Sequence, residues 1–194
     1  MFLYASYVTS GMIIPLVSFK DIQLISSDAF VVGELDDVHY DPFGWNVVGL
    51  KVISKKSSML GGGMGKTAVM ILPDKFVLND VMLLSQTMER IRDSAVPDNK
   101  NISLLMPMLS SKVVTKDSIS VGTVQDVVID TAEWKVKSII VRLERDAIDA
   151  MGLKKGLFSK INVEIRTNLI LSTTDMVHLN EEMSGVKDNM TVLE

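Results

Sequence analysis

The stretch MLGGGMGKTAVMIL, residues 59–72, holds the residues best suited to chemistry. Gly65, Lys66 and Thr67 spell the end of a phosphate-cradling loop. Such a loop needs a first glycine six positions before the lysine, a buried parallel strand in front and a helix behind, so that backbone N–H groups and the helix N-terminus face the phosphates. Here Leu60 holds that first position and Gly61 comes one residue too close. AVMIL and Pro73 follow, and they read as a strand. Nucleotide binding at residues 61–67 is therefore the weakest of the functional readings, with Lys66→Ala as its test.

Other reactive sets are as poor. The chain has no cysteine, which excludes thiolate metal sites, disulfides and cysteine nucleophiles. Its two histidines, His39 and His178, are far apart in the chain and read as strand residues. Asp36 and Asp37 would point to opposite faces of a regular strand. Lys154, Lys155 and Lys160, with Arg142, Arg145 and Arg166 nearby, form the best basic cluster, but Glu144, Asp146 and Asp149 are interleaved with it, as on a solvated face. No catalytic set, cofactor or metal is expected. The net charge of −4 lacks the basic footprint of a nucleic-acid binder.

The elements behind these residues are strands. Of the 194 residues, 47% are hydrophobic and 23% charged, a globular balance. AFVVGELDDVHYDPFGWNVVGLKV, from Ala29, lies over SISVGTVQDVVIDTAEWKVKSIIV, from Ser118, at an offset of 89 residues. Gly33 falls on Gly122, Asp37 on Asp126, Asp41 on Asp130 and Trp45 on Trp134, which uses both tryptophans. Val, Ile, Tyr and Thr dominate both copies, which reads as strand. Asp41-Pro42-Phe43-Gly44 has the residue preferences of a type I turn in a hairpin. The alternation of apolar positions slips at Asp37 and Asp126, where a bulge would bend the strand and the aspartate would bond nearby backbone N–H groups. Each copy ends in a further apolar run, with Ile71 matching Ile165 and Asp80 matching Asp175.

VVGELDDVHYDPFGWNVVGLKV and SVGTVQDVVIDTAEWKVKSIIV resemble the opening of a PRC-barrel domain, and MILPDKFVLNDVMLL resembles its closing segment. The resemblance covers roughly residues 18–86 and 108–180. It implies an all-β chain of two tandem small, mostly antiparallel barrels. The family includes the cytoplasmic part of the photosynthetic reaction-centre H subunit, the C-terminal domain of a bacterial ribosome maturation factor, and archaeal stand-alone proteins, some of which act with the tubulin-like division machinery. Binding other macromolecules is what these share. The compact tandem form is closest to the archaeal group. The resemblance thus implies a non-catalytic, cytoplasmic adaptor or assembly scaffold that forms homo- or hetero-oligomers, with division proteins as leading partners. A role in ribosome or RNA maturation is the alternative, and membrane contact is not expected.

The remaining segments complete the expected layout. Residues 1–17 are an apolar arm, either an extra strand or an arm that packs on a partner. Residues 87–107 are a linker with a short helix, and residues 181–194 a flexible tail. The 13 methionines read first as core filling. Met64, Lys66, Lys154, Lys155 and Lys160 are the candidate partner contacts. The glycine loop ringed with methionines is expected to form part of a contact surface.

Overall fold

The computed structural model describes residues 12–54, 67–72, 75–99, 101–153 and 160–193. Met64, Lys66, Lys154 and Lys155, the glycine loop and the first 11 residues lie outside the described residues. The chain is mostly β, with two sheets of eight strands each that make two tandem small β-barrel-like domains.

In chain order the first half contributes β1 (Ile13–Pro15), a 3-10 turn (Leu16–Phe19), β2 (Gln23–Ile25), β3 (Val31–Tyr40), β4 (Val47–Ser54), β5 (Thr67–Ile71), β6 (Phe76–Leu78), β7 (Val81–Leu84), α1 (Met88–Ser94) and β8 (Val96–Pro97). The second half repeats the order, with α2 added among the described elements: β9 (Ser103–Leu104), a 3-10 turn (Met106–Met108), β10 (Lys112–Val114), β11 (Ser120–Asp130), β12 (Lys135–Leu143), α2 (Arg145–Ala150), β13 (Asn162–Arg166), β14 (Ile170–Thr173), β15 (Val177–Leu179), α3 (Met183–Asn189) and β16 (Thr191–Leu193). The strand order is β6-β7-β2-β3-β4-β5-β8 in one sheet and β14-β15-β10-β11-β12-β13-β16 in the other. All pairings are antiparallel except β2 with β7 and β10 with β15.

The ladder registers bear out the repeat. Leu50 faces Ile71 and Ile139 faces Ile165, so Ile71 and Ile165 are equivalent. The bulge is present in both long hairpins. Pairing jumps from Leu35 to Asp37 against β4, and from Val124 to Asp126 against β12, so Asp36 and Gln125 are the extra residues. The slip thus falls one residue before each aspartate. It turns Leu35 and Val38, and likewise Val124 and Val127, to the interior, where all four are buried. Gly33 and Gly122 sit where neighbouring backbone comes close. A Cβ on Gly33 would lie 2.6 Å from the Ile53 carbonyl oxygen, and one on Gly122 would meet the Arg142 carbonyl.

Two expectations need correction. The short helix expected in the linker, 87–107, is α1; the same segment also holds β8 and β9, and the segment read as a flexible tail, 181–194, holds α3 and β16. Each helix leads into a short strand that closes a sheet edge, β8 on β5 and β16 on β13. Ile91 and Val186 are buried under their barrels. The hairpin loop that begins with the turn at residues 41–44 extends to Trp45. The Trp45 amide donates to the Asp41 carbonyl at 2.8 Å, and Trp45 itself has φ 59°.

The two barrels exchange their leading segments. β1 belongs by sequence order to the first barrel but pairs with β11 of the second, with Ile14 opposite Ile129. β9 precedes the second barrel and pairs with β3 of the first, with Tyr40 opposite Ser103. These are equivalent positions in the two copies. The part of the apolar arm that is described therefore holds a strand and the start of a 3-10 turn, and the strand packs on the other half of its own chain.

Candidate interaction site

The repeat signature sits at the seam where the arms cross. Asp37 is buried in the first barrel, and its Oδ1 accepts from the Val38 amide at 2.7 Å and the Met106 amide at 2.8 Å. Asp126 does the same in the second, accepting from Val127 at 2.8 Å and Val17 at 3.2 Å. In each case one donor is the neighbouring strand residue and the other belongs to the 3-10 turn of the arm arriving from the opposite half. The bulge thus turns a carboxylate toward a turn that lacks backbone partners for its first amides. Burial pushes both carboxyls above their ordinary value, against the pull of the amide donors. These aspartates hold the exchanged arms.

Asp41 and Asp130 fix the hairpin loops. Asp41 accepts from the Phe43 amide at 3.0 Å and the Gly44 amide at 2.9 Å, and Asp130 from Ala132 at 2.9 Å. Trp45 and Trp134 follow at φ 59° and 50°, a left-handed conformation costly for a bulky residue. That conformation sends the loops toward each other. The Val47 amide donates to the Trp134 carbonyl at 2.7 Å, and the Val136 amide to the Trp45 carbonyl at 2.8 Å. The two loops are thus tied reciprocally across the seam, and the tryptophans are structural members of it.

The two ends of the seam differ. At one end Phe76, on β6 of the first barrel, packs on Trp134 of the second, ring centroids 5.5 Å apart. At the other end β14 brings no aromatic to Trp45. Ile170 faces Leu179 as Phe76 faces Leu84, and a register shift pushes the extra residue, Leu171, out to 69% exposure. Trp45 stacks instead on Tyr40 of its own barrel at 5.6 Å, and the Tyr40 hydroxyl meets Thr173 Oγ1 at 3.0 Å. A cavity of about 250 Å³ is left between the Pro42–Trp45 loop and residues 171–174. A second hollow of about 320 Å³, behind Tyr40 and Met108, shares Ser103, Thr173 and Thr174 with it. Phe43 stands at the lip, 95% exposed.

One polar cluster went unnoticed in the sequence. His39 is buried on β3, and its Nε2 lies 2.8 Å from Asp98 Oδ1, just after β8. Lys51 Nζ lies 2.8 Å from Asp36 and 3.9 Å from Asp98, and Asp36 holds the ammonium above its ordinary range. His39 is a strand residue, as its isolation suggested. Its acidic partner lies 59 positions away and no local pattern marks it. In the second barrel, Val128, Ile140 and Leu193 fill the places of His39, Lys51 and Asp98 by ladder register.

Arg166 lies apart from the other described members of the basic cluster. Lys160 is exposed ahead of β13. Arg142 faces Asn162 in the β12–β13 ladder, whereas Arg166 faces Ser138, about 13 Å along the strand at the usual rise. Met82, Met88, Met108 and Met151 are buried in the core, as the core-filling reading expected. Among the described residues, no helix is long and apolar enough to cross a membrane.

A search of curated proteins finds no match to the chain. The family model of the PRC-barrel domain matches residues 108–166, from the 3-10 turn through the bulged hairpin β11–β12 to the end of β13. With its bulge, its paired aspartates and its tryptophan loop, this part of the chain is a PRC-barrel domain.

Proposed function

We propose that this chain is a non-catalytic protein-interaction adaptor, built from two PRC barrels of which the first is the unmatched, structurally equivalent copy. The observation that carries the reading is the unequal seam. Its polar groups are spent on holding the two halves together, while its Trp45 end keeps an open cavity with an exposed aromatic at the rim. An exposed aromatic beside an open cavity supports a contact with another macromolecule.

The resemblance to archaeal stand-alone PRC-barrel proteins makes an assembly scaffold in cytoplasmic cell division the leading context. The test is capture of the full chain with its partners from its native cell. Division proteins should be recovered, and their recovery should fall for Phe43→Ser. Recovery of ribosomal proteins alone would overturn the division context.

A further inference from the structure

The two sheets differ on their outer faces. In the first sheet the ladders set Val77 opposite Leu83, Leu83 opposite Ile25 and Ile25 opposite Val31, so four apolar residues lie side by side across β6, β7, β2 and β3. Their chain neighbours Leu24, Val32, Met82 and Leu84 are fully buried, so by strand alternation the row faces outward, with Leu83 36% and Val31 44% exposed. The same ladders put Ser172, His178, Val114 and Ser120 in these places in the second sheet. The second barrel thus keeps the polar outer row usual for an antiparallel sheet, and the first replaces it with an apolar strip. Phe30, 48% exposed, extends the strip past Val31. A cavity of about 250 Å³ opens beside it, between Gln23, Val31–Glu34, Ile53 and Ser54.

Charge narrows what can cover the strip. Its four strands contain no lysine or arginine, and their carboxylates are Glu34, Asp36 and Asp37. Asp37 is buried, Asp36 pairs with Lys51, and Glu34 stands in the cavity wall. The exposed residues just beyond the strand ends add Asp21, Asp28 and Asp80 against Lys20 and Lys75. Such a face does not attract an anionic lipid surface, and it complements apolar side chains bordered by bases. The described helices of the chain bury Met88, Ile91, Ile148 and Val186 within it, so none of them offers an apolar stripe to a second copy.

We propose that the outer face of β6-β7-β2-β3 docks an amphipathic helix of a foreign protein, one whose apolar stripe is bordered by lysine or arginine. Four strands spaced by about 4.8 Å give a row about 14 Å long. Anchors at i, i+4 and i+7 of a helix span about 10.5 Å and fit along it, with the anchor nearest Val31 entering the cavity. A helix laid on the strip completes the two-layer packing that an apolar sheet face requires. The strip and its cavity share no residue with the cavity beside Trp45, so this face stands apart from the contact proposed there.

The experiment selects helix-forming peptides of about 18 residues from a randomised display library on the full chain. The selected peptides are then measured by fluorescence anisotropy against the wild type, Leu83→Lys, Leu83→Ser and Phe43→Ser. They should carry apolar residues at i, i+4 and i+7 with lysine or arginine beside them, and bind more weakly as salt rises. Leu83→Lys should weaken binding by about tenfold or more, Leu83→Ser by less, and Phe43→Ser not at all. Leu83 faces outward, so both substitutions leave the fold intact, which far-UV circular dichroism checks. Selection of no peptide overturns the proposal, as do acidic peptides or binding that Leu83→Lys leaves unchanged. Binding lost through Phe43→Ser alone overturns it too and leaves the Trp45 contact standing. Binding of the chain to phosphatidylglycerol vesicles through Leu83, or a self-association that Leu83→Lys abolishes, overturns it by giving the face to lipid or to a second copy.

Discussion

At the residue scale, the two buried aspartates show how one side chain can serve both a bulge and a distant arm. Asp37 Oδ1 receives one amide from its own strand and one from Met106. Asp37→Ala leaves both amides without their acceptor and should cost about 1–3 kcal/mol in urea unfolding. Asp37→Asn keeps an acceptor oxygen and sheds a charge that burial disfavours, so it should cost much less. The two variants also separate in pH. Burial holds the folded carboxyl above 3.8, so the folded chain binds this proton more tightly than the unfolded chain does. The stability linked to this group is full below 3.8 and is lost as pH rises through the raised folded value. Asp37→Asn should remove that part of the pH dependence, and an unchanged stability–pH profile would contradict the assignment. Tyr40→Phe tests the seam in the same way. Loss of the bond to Thr173 should cost about 0.5–1.5 kcal/mol in the same unfolding measurement.

At the element scale, what could be read in the sequence divides along physical lines. The repeat, the hairpins and the bulges were legible because each leaves a mark in local pattern: a glycine at a close approach, an aspartate at a phase slip, a tryptophan after a loop. The arm exchange was not, because β1 and β9 are only three and two residues long. Nothing in so short a run says which of two equivalent long strands it pairs with. The open cavity was hidden for a related reason. It arises from the register shift at Leu171, and Leu171 reads as one more apolar strand position. α3 and β16 were missed because MSGVKDN carries a single buried apolar residue, Val186. That residue makes a sharp test. Removing residues 183–194 uncovers the β13 edge and loses the burial of Val186, worth about 1.5–3 kcal/mol by itself. The urea midpoint should fall accordingly, whereas a mobile tail would leave it where it is.

At the scale of the whole molecule, the exchange of arms determines how the two barrels unfold. Neither barrel can separate without stripping β1 from β11 and β9 from β3, and with them the amides that Asp126 and Asp37 accept. The hairpin loops add reciprocal bonds between the Trp45 and Trp134 carbonyls and the opposite amides. A barrel left alone would therefore keep a buried carboxylate short of a donor and an uncovered stretch of its longest strand, and both are costly. The two halves should accordingly unfold as one cooperative unit. Both tryptophans lie in the seam, so fluorescence reports on the seam itself, while far-UV circular dichroism reports on the strands of both barrels. In urea the two signals should trace a single coincident transition. If the barrels were only tethered, the fluorescence change would precede the loss of strand signal, or the strand signal would fall in two steps. Either result would show that the crossed arms do not couple the halves. Coupling of this kind also bears on docking: a seam that opens only with global unfolding presents Phe43 and the cavity beside Trp45 in one fixed geometry, and a rigid site meets its partner without the entropic cost of first being ordered.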